Sequence, residues 1–203
     1  IIDHFLAFDP QSKVACEALV TTGQVILAGE VKSKTYLDVQ KIARNTINKI
    51  GYTKGEYMFD GNSCGVLSTI HEQSEDINRG VDKATPEAQG AGDQGIMFGF
   101  ACNETEVLMP APIHYCHKIL KLMADDRKSG KLKNIEPDSK SQVTFEYVNG
   151  KPTKVKSVVI SSQHSPDVSQ EQVKDLLRPY MLKSIPPNFL KDFNEEEFYV
   201  NPT

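Results

Sequence analysis

The sequence lacks a long apolar run, a C-x-x-C pair and an excess of positive charge. No stretch approaches the roughly 18 consecutive apolar residues of a membrane-spanning helix, so we expect no membrane anchor. The 23 Lys and Arg residues against 27 Asp and Glu leave a net charge of −4, and the positive charges are scattered. We therefore expect neither a membrane surface nor nucleic acid as a partner.

Four cysteines are spread along 203 residues, which is too long a chain for a small disulfide scaffold. The small number and wide spacing of the cysteines favour a protein of the reducing cytoplasm. Hydrophobic residues make up 39% and charged residues 25%, so the composition predicts a folded core. The chain begins at Ile1 and stops after the apolar run at 198–200, and we expect that both ends are trimmed.

Turn signals and apolar periodicity predict two hairpins and three helices. The dipeptides Thr22-Gly23 and Asn149-Gly150 each join two segments in which apolar and polar residues alternate, and Asn149-Gly150 suits a type I′ turn. Single strands are predicted at 62–70, at 96–100 and at the end of the chain. The hairpin strands are predicted at 13–20 with 24–31 and at 142–147 with 155–162. Helices are predicted at 35–50 and at 110–127, and the first begins with a capping box of Thr35 and Asp38. A third helix is predicted to begin at Ser169, and Pro179 should kink or end it.

Hairpins interleaved with helices predict an α+β fold with each sheet covered on one face. Residues 13–70 and 140–203 both run hairpin, helix, strand. This shared order of elements suggests a duplicated unit. The polar, Gly-containing segment 73–95 has no sustained period and predicts a long loop, which we expect to be mobile between Gln73 and Gly90.

Two carboxylates share a face of the first predicted hairpin. With a two-residue loop, paired residue numbers sum to 45, so Glu17 and Glu30 are diagonal neighbours about 7–8 Å apart at the backbone. They favour a cation or an ammonium group nearby. A solvated sheet face with incidental glutamates is the alternative. The opposite face is the predicted core: Val14, Cys16, Ala18, Val20, Val25, Leu27, Gly29 and Val31.

Three other patterns could carry chemistry. Residues 90–95 match G-x-G-x-x-G but follow no strand and open no helix, so we reject a dinucleotide site and keep a turn that could bring Asp93 to a ligand. His114, Cys116 and His117 are too few ligands on one helix for a metal. Asp138, Ser139 and Lys140 could meet phosphate and a hydroxyl or metal, or could simply form a turn.

Several stretches together resemble the S-adenosylmethionine synthetase (methionine adenosyltransferase) family. They are KVACEALVTTGQVILAGE (13–30), FDGNSCGVLSTI (59–70), QSEDINRGVD (73–82), QGAGDQGIMFGFACNETEVLMPAP (89–112) and PDSKSQVTFEY (137–147). The resemblance implies three similar domains around a pseudo-threefold axis. It implies an N-terminal domain at 1–76, a mobile active-site loop or linker at 77–88 and a central domain at 89–203, with the C-terminal domain absent.

The resemblance also implies a reaction and site residues. ATP and L-methionine would give S-adenosylmethionine and tripolyphosphate, which is hydrolysed to pyrophosphate and phosphate, with Mg²⁺ and K⁺ assisting. By matching position, methionine would contact Glu30, Gln73 and Asp93, and Glu17 would bind K⁺. ATP would contact Asp138, Ser139 and Lys140. A homodimer or tetramer with sites between subunits is implied.

The chain departs from the family pattern in the motifs that it lacks. The Gly-His-Pro-Asp-Lys motif and the basic and Gly-rich downstream motifs do not occur in it, so no catalytic residue is assigned. We expect that the chain alone is inactive. The alternative is a non-catalytic nucleotide-binding or assembly fragment of the same fold.

Overall fold

The structure is a computed structural model that describes residues 1–73, 85, 88 and 96–202. The chain divides into two compact units, Ile1–Phe98 and Gly99–Thr203, and each is described by itself. Both units combine a three-stranded mixed sheet with helices, which confirms the predicted α+β class. No helix in the described part of the chain is both long and apolar enough to cross a bilayer.

The first unit follows the predicted order of hairpin, helix and strand. Its described elements are α1 (Ile2–Phe8), β1 (Lys13–Thr21), β2 (Gln24–Lys32), α2 (Val39–Ile50), a 3₁₀ turn at Gly55–Tyr57, and β3 (Gly65–Glu72). β1 and β2 are antiparallel, whereas β3 lies parallel to β2 on its other side. α1 is absent from the sequence prediction because seven residues are too few to show a helical period.

Two boundaries in this unit differ from the prediction. α2 begins after Asp38, whose side chain accepts a hydrogen bond from the Lys41 amide at 3.0 Å, so Thr35 does not cap the helix. The Thr35 amide instead donates to the Ser33 hydroxyl at 3.2 Å. β3 starts at Gly65 instead of residue 62, because the preceding residues form a turn around Asp60.

The core of the first unit lies on the predicted face of β2 but only partly on that of β1. Val25 and Leu27 are buried with Ala43 and Ile47 of α2. Val20, by contrast, is 58% exposed. Ala18 is exposed too. β1 is an edge strand, and α2 packs over β2 and β3. The prediction that the whole face of the hairpin is core is therefore wrong at these two positions.

The second unit repeats the topology of the first. Its described elements are α3 (Ala111–Lys128), β4 (Ile135–Val148), β5 (Lys151–His164), α4 (Gln170–Ser184), 3₁₀ turns at Pro187–Phe189 and Glu195–Glu197, and β6 (Phe198–Val200). β4 and β5 are antiparallel, and β6 lies parallel to β5. The order β4-β5-β6 matches β1-β2-β3, which confirms the duplicated pattern of hairpin, helix and parallel strand.

The local signals of this unit are mostly confirmed. Asn149 and Gly150 both have positive φ, at 51° and 74°, as a type I′ turn requires. Ser169 caps α4 in a reciprocal capping box with Gln172. Pro179 does not end that helix, which continues to Ser184. Tyr180 and Met181 are buried just beyond the proline, and their burial offsets one missing backbone hydrogen bond.

Residues 96–100 do not form the predicted strand. They have no regular secondary structure, and the side chains of Met97 and Phe98 are 87% and 94% exposed. A strand needs a partner for its backbone groups, and no strand in the described ranges pairs with this segment. The core of the second unit is instead formed by α3 and α4 packed on one face of its sheet, around Ile119, Leu177 and Ile160.

Candidate functional site

The face of the first sheet that no described helix covers, called the uncovered face below, carries two carboxylates. Glu17 on β1 lies opposite Ala28, and Glu30 on β2 lies opposite Ala15, so the two are diagonal neighbours as predicted. Within the described residues, no hydrogen bond or ion pair engages either side chain. Leu19, which shares their face, is 59% exposed. Two like charges on a partly apolar surface favour a bound cation or ammonium group.

β3 adds His71 to the same face, and Gln73 follows directly after the strand. His71 is the parallel-strand partner of Glu30. The Gln73 amide donates to the Val31 carbonyl at 3.3 Å and so continues the ladder beyond Glu72. The side-chain oxygen Oε1 of Gln73 is buried and has no hydrogen-bond partner among the described residues. A buried amide oxygen without a donor is costly, which makes this position suited to a ligand's N–H group.

We call Glu17, Glu30, His71 and Gln73 the first-sheet patch. Sequence reasoning did not include His71, because it ended the third strand at Ile70 and did not predict that this strand lies parallel beside Glu30. The alternation of side chains continues through His71 and would have been the signal for it.

The uncovered face of the second sheet brings a second group together. Lys140 on β4 lies directly opposite Ser161 on β5. Side-chain alternation places Asp138 on the same face as Lys140. In residues 96–202, no hydrogen bond or ion pair engages the side chains of these three residues. We call Asp138, Lys140 and Ser161 the second-sheet patch.

Ser139 lies on the other, helix-covered face of this sheet. Its hydroxyl is 2.7 Å from the hydroxyl of Ser162, which is buried. The contact holds β4 to β5 immediately beside Lys140. The predicted contact between Ser139 and ATP stays a prediction, and it would have to be made from the covered side.

Two predicted features lie outside the described residues. Asp93 is one, and the active-site loop at 77–88, apart from residues 85 and 88, is the other. Their proposed roles stay predictions.

His114 and His117 lie on α3 with Cys116 between them. Among the described residues, no three His, Cys, Asp or Glu side chains come together as a metal would require. Burial raises the pKa of the Cys116 thiol, which disfavours the thiolate that binds metals.

The fit of K⁺ to the first-sheet patch depends on donor chemistry. Hard cations take oxygen ligands, and Glu17 offers a carboxylate that nothing else in the described residues uses. It can supply part of a K⁺ shell. No ligand for Mg²⁺ is assigned to a described residue.

Comparison with known proteins identifies the family. The sequence profile described as "S-adenosylmethionine synthetase, N-terminal domain" matches residues 1–75, and that described as "S-adenosylmethionine synthetase, central domain" matches residues 88–203. The chain belongs to the S-adenosylmethionine synthetase family. The predicted division into 1–76, 77–88 and 89–203 stays a prediction.

Curated relatives of the chain bear the name S-adenosylmethionine synthase. The protein of Pelagibacter ubique is 64% identical over 206 residues, which cover 100% of this chain and 52% of the relative. That of Flavobacterium johnsoniae is 56% identical over 214 residues, covering 100% and 51%. That of Phocaeicola vulgatus is 50% identical over 227 residues, covering 100% and 53%. The chain therefore spans about half the length of these S-adenosylmethionine synthases.

Proposed function

We propose that this chain acts in a methionine adenosyltransferase, which forms S-adenosylmethionine from ATP and L-methionine. The observation that carries the proposal is the 64% identity to an S-adenosylmethionine synthase across the whole chain. The polar side chains of the two patches support it, because no hydrogen bond or ion pair within the described residues engages Glu17, Glu30, Asp138, Lys140 or Ser161.

The proposed reaction is a nucleophilic substitution. The thioether sulfur of methionine attacks C5′ of ATP, the S–C5′ bond forms, and the C5′–O bond breaks. Sulfur gains a positive charge, and tripolyphosphate leaves with the electron pair and is then hydrolysed to pyrophosphate and phosphate. The sulfur is itself the nucleophile, so the protein's contribution is to position the two substrates and to stabilise the charge of the leaving group.

In this proposal the first-sheet patch holds methionine. Glu30 makes no hydrogen bond or ion pair within the described residues and is suited to pair with the ammonium group. The buried Oε1 of Gln73 would accept a hydrogen bond from the same substrate. Asp93 completes the predicted methionine contacts. Glu17 contributes an oxygen to K⁺, which when bound offsets the negative charge that the two glutamates place on this face.

The second-sheet patch holds ATP. The ammonium group of Lys140 meets the phosphate chain as a point charge, and the Asp138 carboxylate accepts a hydrogen bond from a sugar hydroxyl. The contact between Ser139 and Ser162 keeps this part of β4 in register. Mg²⁺, when bound, would offset further phosphate charge.

The proposal extends to the protein's assembly and location. It includes a homodimer or tetramer with sites between subunits, as the family resemblance implies. The four cysteines are free in the structure, which suits a reducing cytoplasm.

The test is product formation by two proteins. One is the 203-residue chain. The other, which we call the completed enzyme, is this chain joined to the part of the Pelagibacter ubique sequence that it does not span. We expect the completed enzyme to convert ATP and methionine, with Mg²⁺ and K⁺, into S-adenosylmethionine measured by chromatography, and the 203-residue chain to give none. Nucleotide binding without product in the completed enzyme would favour the non-catalytic alternative.

A further inference from the structure

We infer that Ser161 is a further ATP-binding residue, which donates its hydroxyl to the same phosphate group that Lys140 contacts. This inference rests on the proposed function and adds a contact to it. Sequence reasoning gave no reason to single out Ser161, which is one of several serines in β5.

The register of the second sheet places Ser161 beside Lys140. The two residues are directly opposite each other in the antiparallel pair of β4 and β5. Their Cβ atoms are therefore about 4.5–5.5 Å apart. On either side of Ser161 along β5, Ile160 and Ser162 are 0% and 6% exposed and point into the covered face. Ser161 thus projects from the uncovered face, next to the lysine.

The hydroxyl of Ser161 has no structural use in the described residues, unlike those of its neighbours. The hydroxyls of Ser139 and Ser162 contact each other at 2.7 Å. Ser141 donates to the Cys116 carbonyl at 3.0 Å. Those two contacts, which use three hydroxyls, hold the sheet to itself and to α3. Ser161 makes no such contact within residues 96–202, so its hydroxyl is available to a ligand.

The chemistry of the pair fits a phosphate group. A lysine ammonium supplies charge without fixing geometry, whereas a serine hydroxyl on a strand supplies one directed donor. A phosphate oxygen held by both would accept two charge-assisted hydrogen bonds from adjacent strands. The hydroxyl of Ser161 would therefore fix where the phosphate chain lies along the sheet.

Ser157 is the matched control. It lies on the same strand and the same face, opposite Thr144. Ser157 lies four positions before Ser161, which is about 13 Å along a strand and beyond the reach of a phosphate bound at Lys140. Ser157→Ala therefore removes the same chemical group from the same surface, outside the proposed contact.

The experiment measures steady-state kinetics of Ser161→Ala, Ser157→Ala and Lys140→Ala in the completed enzyme. Ser161→Ala should raise the KM for ATP about tenfold, as expected for losing one hydrogen bond to a charged group, and leave the KM for methionine unchanged. Inhibition by tripolyphosphate should weaken by a similar factor, whereas inhibition by adenosine should not change. Ser157→Ala should match the parent.

Three outcomes would overturn the inference. If Lys140→Ala raises the KM for ATP but Ser161→Ala behaves like Ser157→Ala, Ser161 does not bind ATP and the proposed function stands. If Ser161→Ala weakens inhibition by adenosine instead of tripolyphosphate, the contact is not to phosphate. If Lys140→Ala also leaves the KM for ATP unchanged, the proposed ATP contact is wrong and the inference fails with it.

Discussion

Two buried serines of the second unit lie in opposite hydrogen-bonding environments. Ser162 contacts the Ser139 hydroxyl at 2.7 Å, and its amide donates to Oδ1 of Asn201 at 2.7 Å. Ser184, at the end of α4, is 1% exposed, and its hydroxyl has no partner among the described residues. A satisfied buried hydroxyl stabilises a fold, whereas an unsatisfied one costs desolvation free energy.

Alanine substitution should therefore have opposite effects at these two positions. Ser162→Ala leaves the Ser139 hydroxyl without its partner and should lower the free energy of unfolding by about 1–3 kcal/mol. Ser184→Ala removes a group that makes no contact and should leave that free energy unchanged or raise it by up to about 1 kcal/mol. Urea denaturation of both variants measures the difference. A large loss of stability in Ser184→Ala would show that its hydroxyl is hydrogen-bonded.

Substitutions on the two faces of the first hairpin should differ in their effect on the free energy of unfolding. Glu17→Gln and Glu30→Gln should each change the free energy of unfolding by less than about 0.5 kcal/mol, because neither carboxylate has a protein partner in the described residues. Leu27→Ala, on the covered face of the same strand as Glu30, should cost about 2–4 kcal/mol, because Leu27 is 3% exposed. If the glutamate variants lose as much free energy of unfolding as Leu27→Ala, the two glutamates stabilise the fold and this prediction is wrong.

The turn that precedes β3 depends on Asp60. This side chain is 5% exposed and accepts hydrogen bonds from the amides of Asn62 and Ser63 at 2.8 and 3.0 Å, and from the Ser63 hydroxyl. Arg44 of α2 donates to the Gly61 carbonyl at 3.0 Å and so ties the turn to the helix. The hydrogen bond from the Ser63 hydroxyl, with those from the two amides, lowers the pKa of Asp60 below its ordinary value of 3.8.

The lowered pKa of Asp60 predicts how the stability of the fold changes with pH. A carboxyl group whose pKa is lower in the folded state stabilises the fold fully above pH 3.8, and the contribution is lost as the pH falls through the folded-state value. Asp60→Asn should be less stable than the parent at neutral pH and lose less stability on acidification. Urea denaturation between pH 2 and pH 7 measures both. Equal pH dependence in parent and variant would contradict this role, and Glu56→Gln serves as an exposed control.

Gly29 determines how closely β1 and β2 approach, just before Glu30. Its φ is +141°, and a Cβ added there would lie 1.9 Å from the Ala15 carbonyl oxygen. Gly29→Ala should therefore lower the free energy of unfolding by more than about 2 kcal/mol. Gly55→Ala, where nothing lies within 4 Å of the added atom, should change it by less than about 0.5 kcal/mol. Thermal or urea unfolding of the two variants provides the comparison.

The elements that the sequence predicted best are those whose signals are local. Thr22-Gly23 and Asn149-Gly150 determine both hairpin turns, and the resulting register placed Glu17 diagonal to Glu30. Signals that depend on packing were missed. Pro179 was expected to kink or end α4; it does not end the helix, because burial of the residues beyond it outweighs one lost hydrogen bond. His71 and Ser161 became candidates only when strand pairing placed them beside Glu30 and Lys140. The residues next to each of them in the sequence do not indicate which strand it pairs with.

At the scale of the whole molecule, the chain repeats one topology twice but uses the two uncovered faces differently. The first-sheet patch offers carboxylates and an amide oxygen to a cationic group. The second-sheet patch offers the ammonium group of Lys140 and the hydroxyl of Ser161 to an anionic group, and the carboxylate of Asp138 to a hydroxyl group. Under the proposed function, methionine brings an ammonium group and ATP brings phosphates, so this difference in polar groups would place one substrate on each sheet. Such a division is the central claim of the proposed function.

Steady-state kinetics of Glu30→Gln and Lys140→Ala in the completed enzyme, each measured against both substrates, test that claim most directly. We expect Glu30→Gln to raise the KM for methionine about tenfold or more and Lys140→Ala to raise the KM for ATP by a similar factor, as for the loss of a charged hydrogen-bond partner. Neither variant should change the KM for the other substrate. If both variants change both constants equally, or if each changes the constant assigned to the other, the division of the substrates between the two sheets is contradicted.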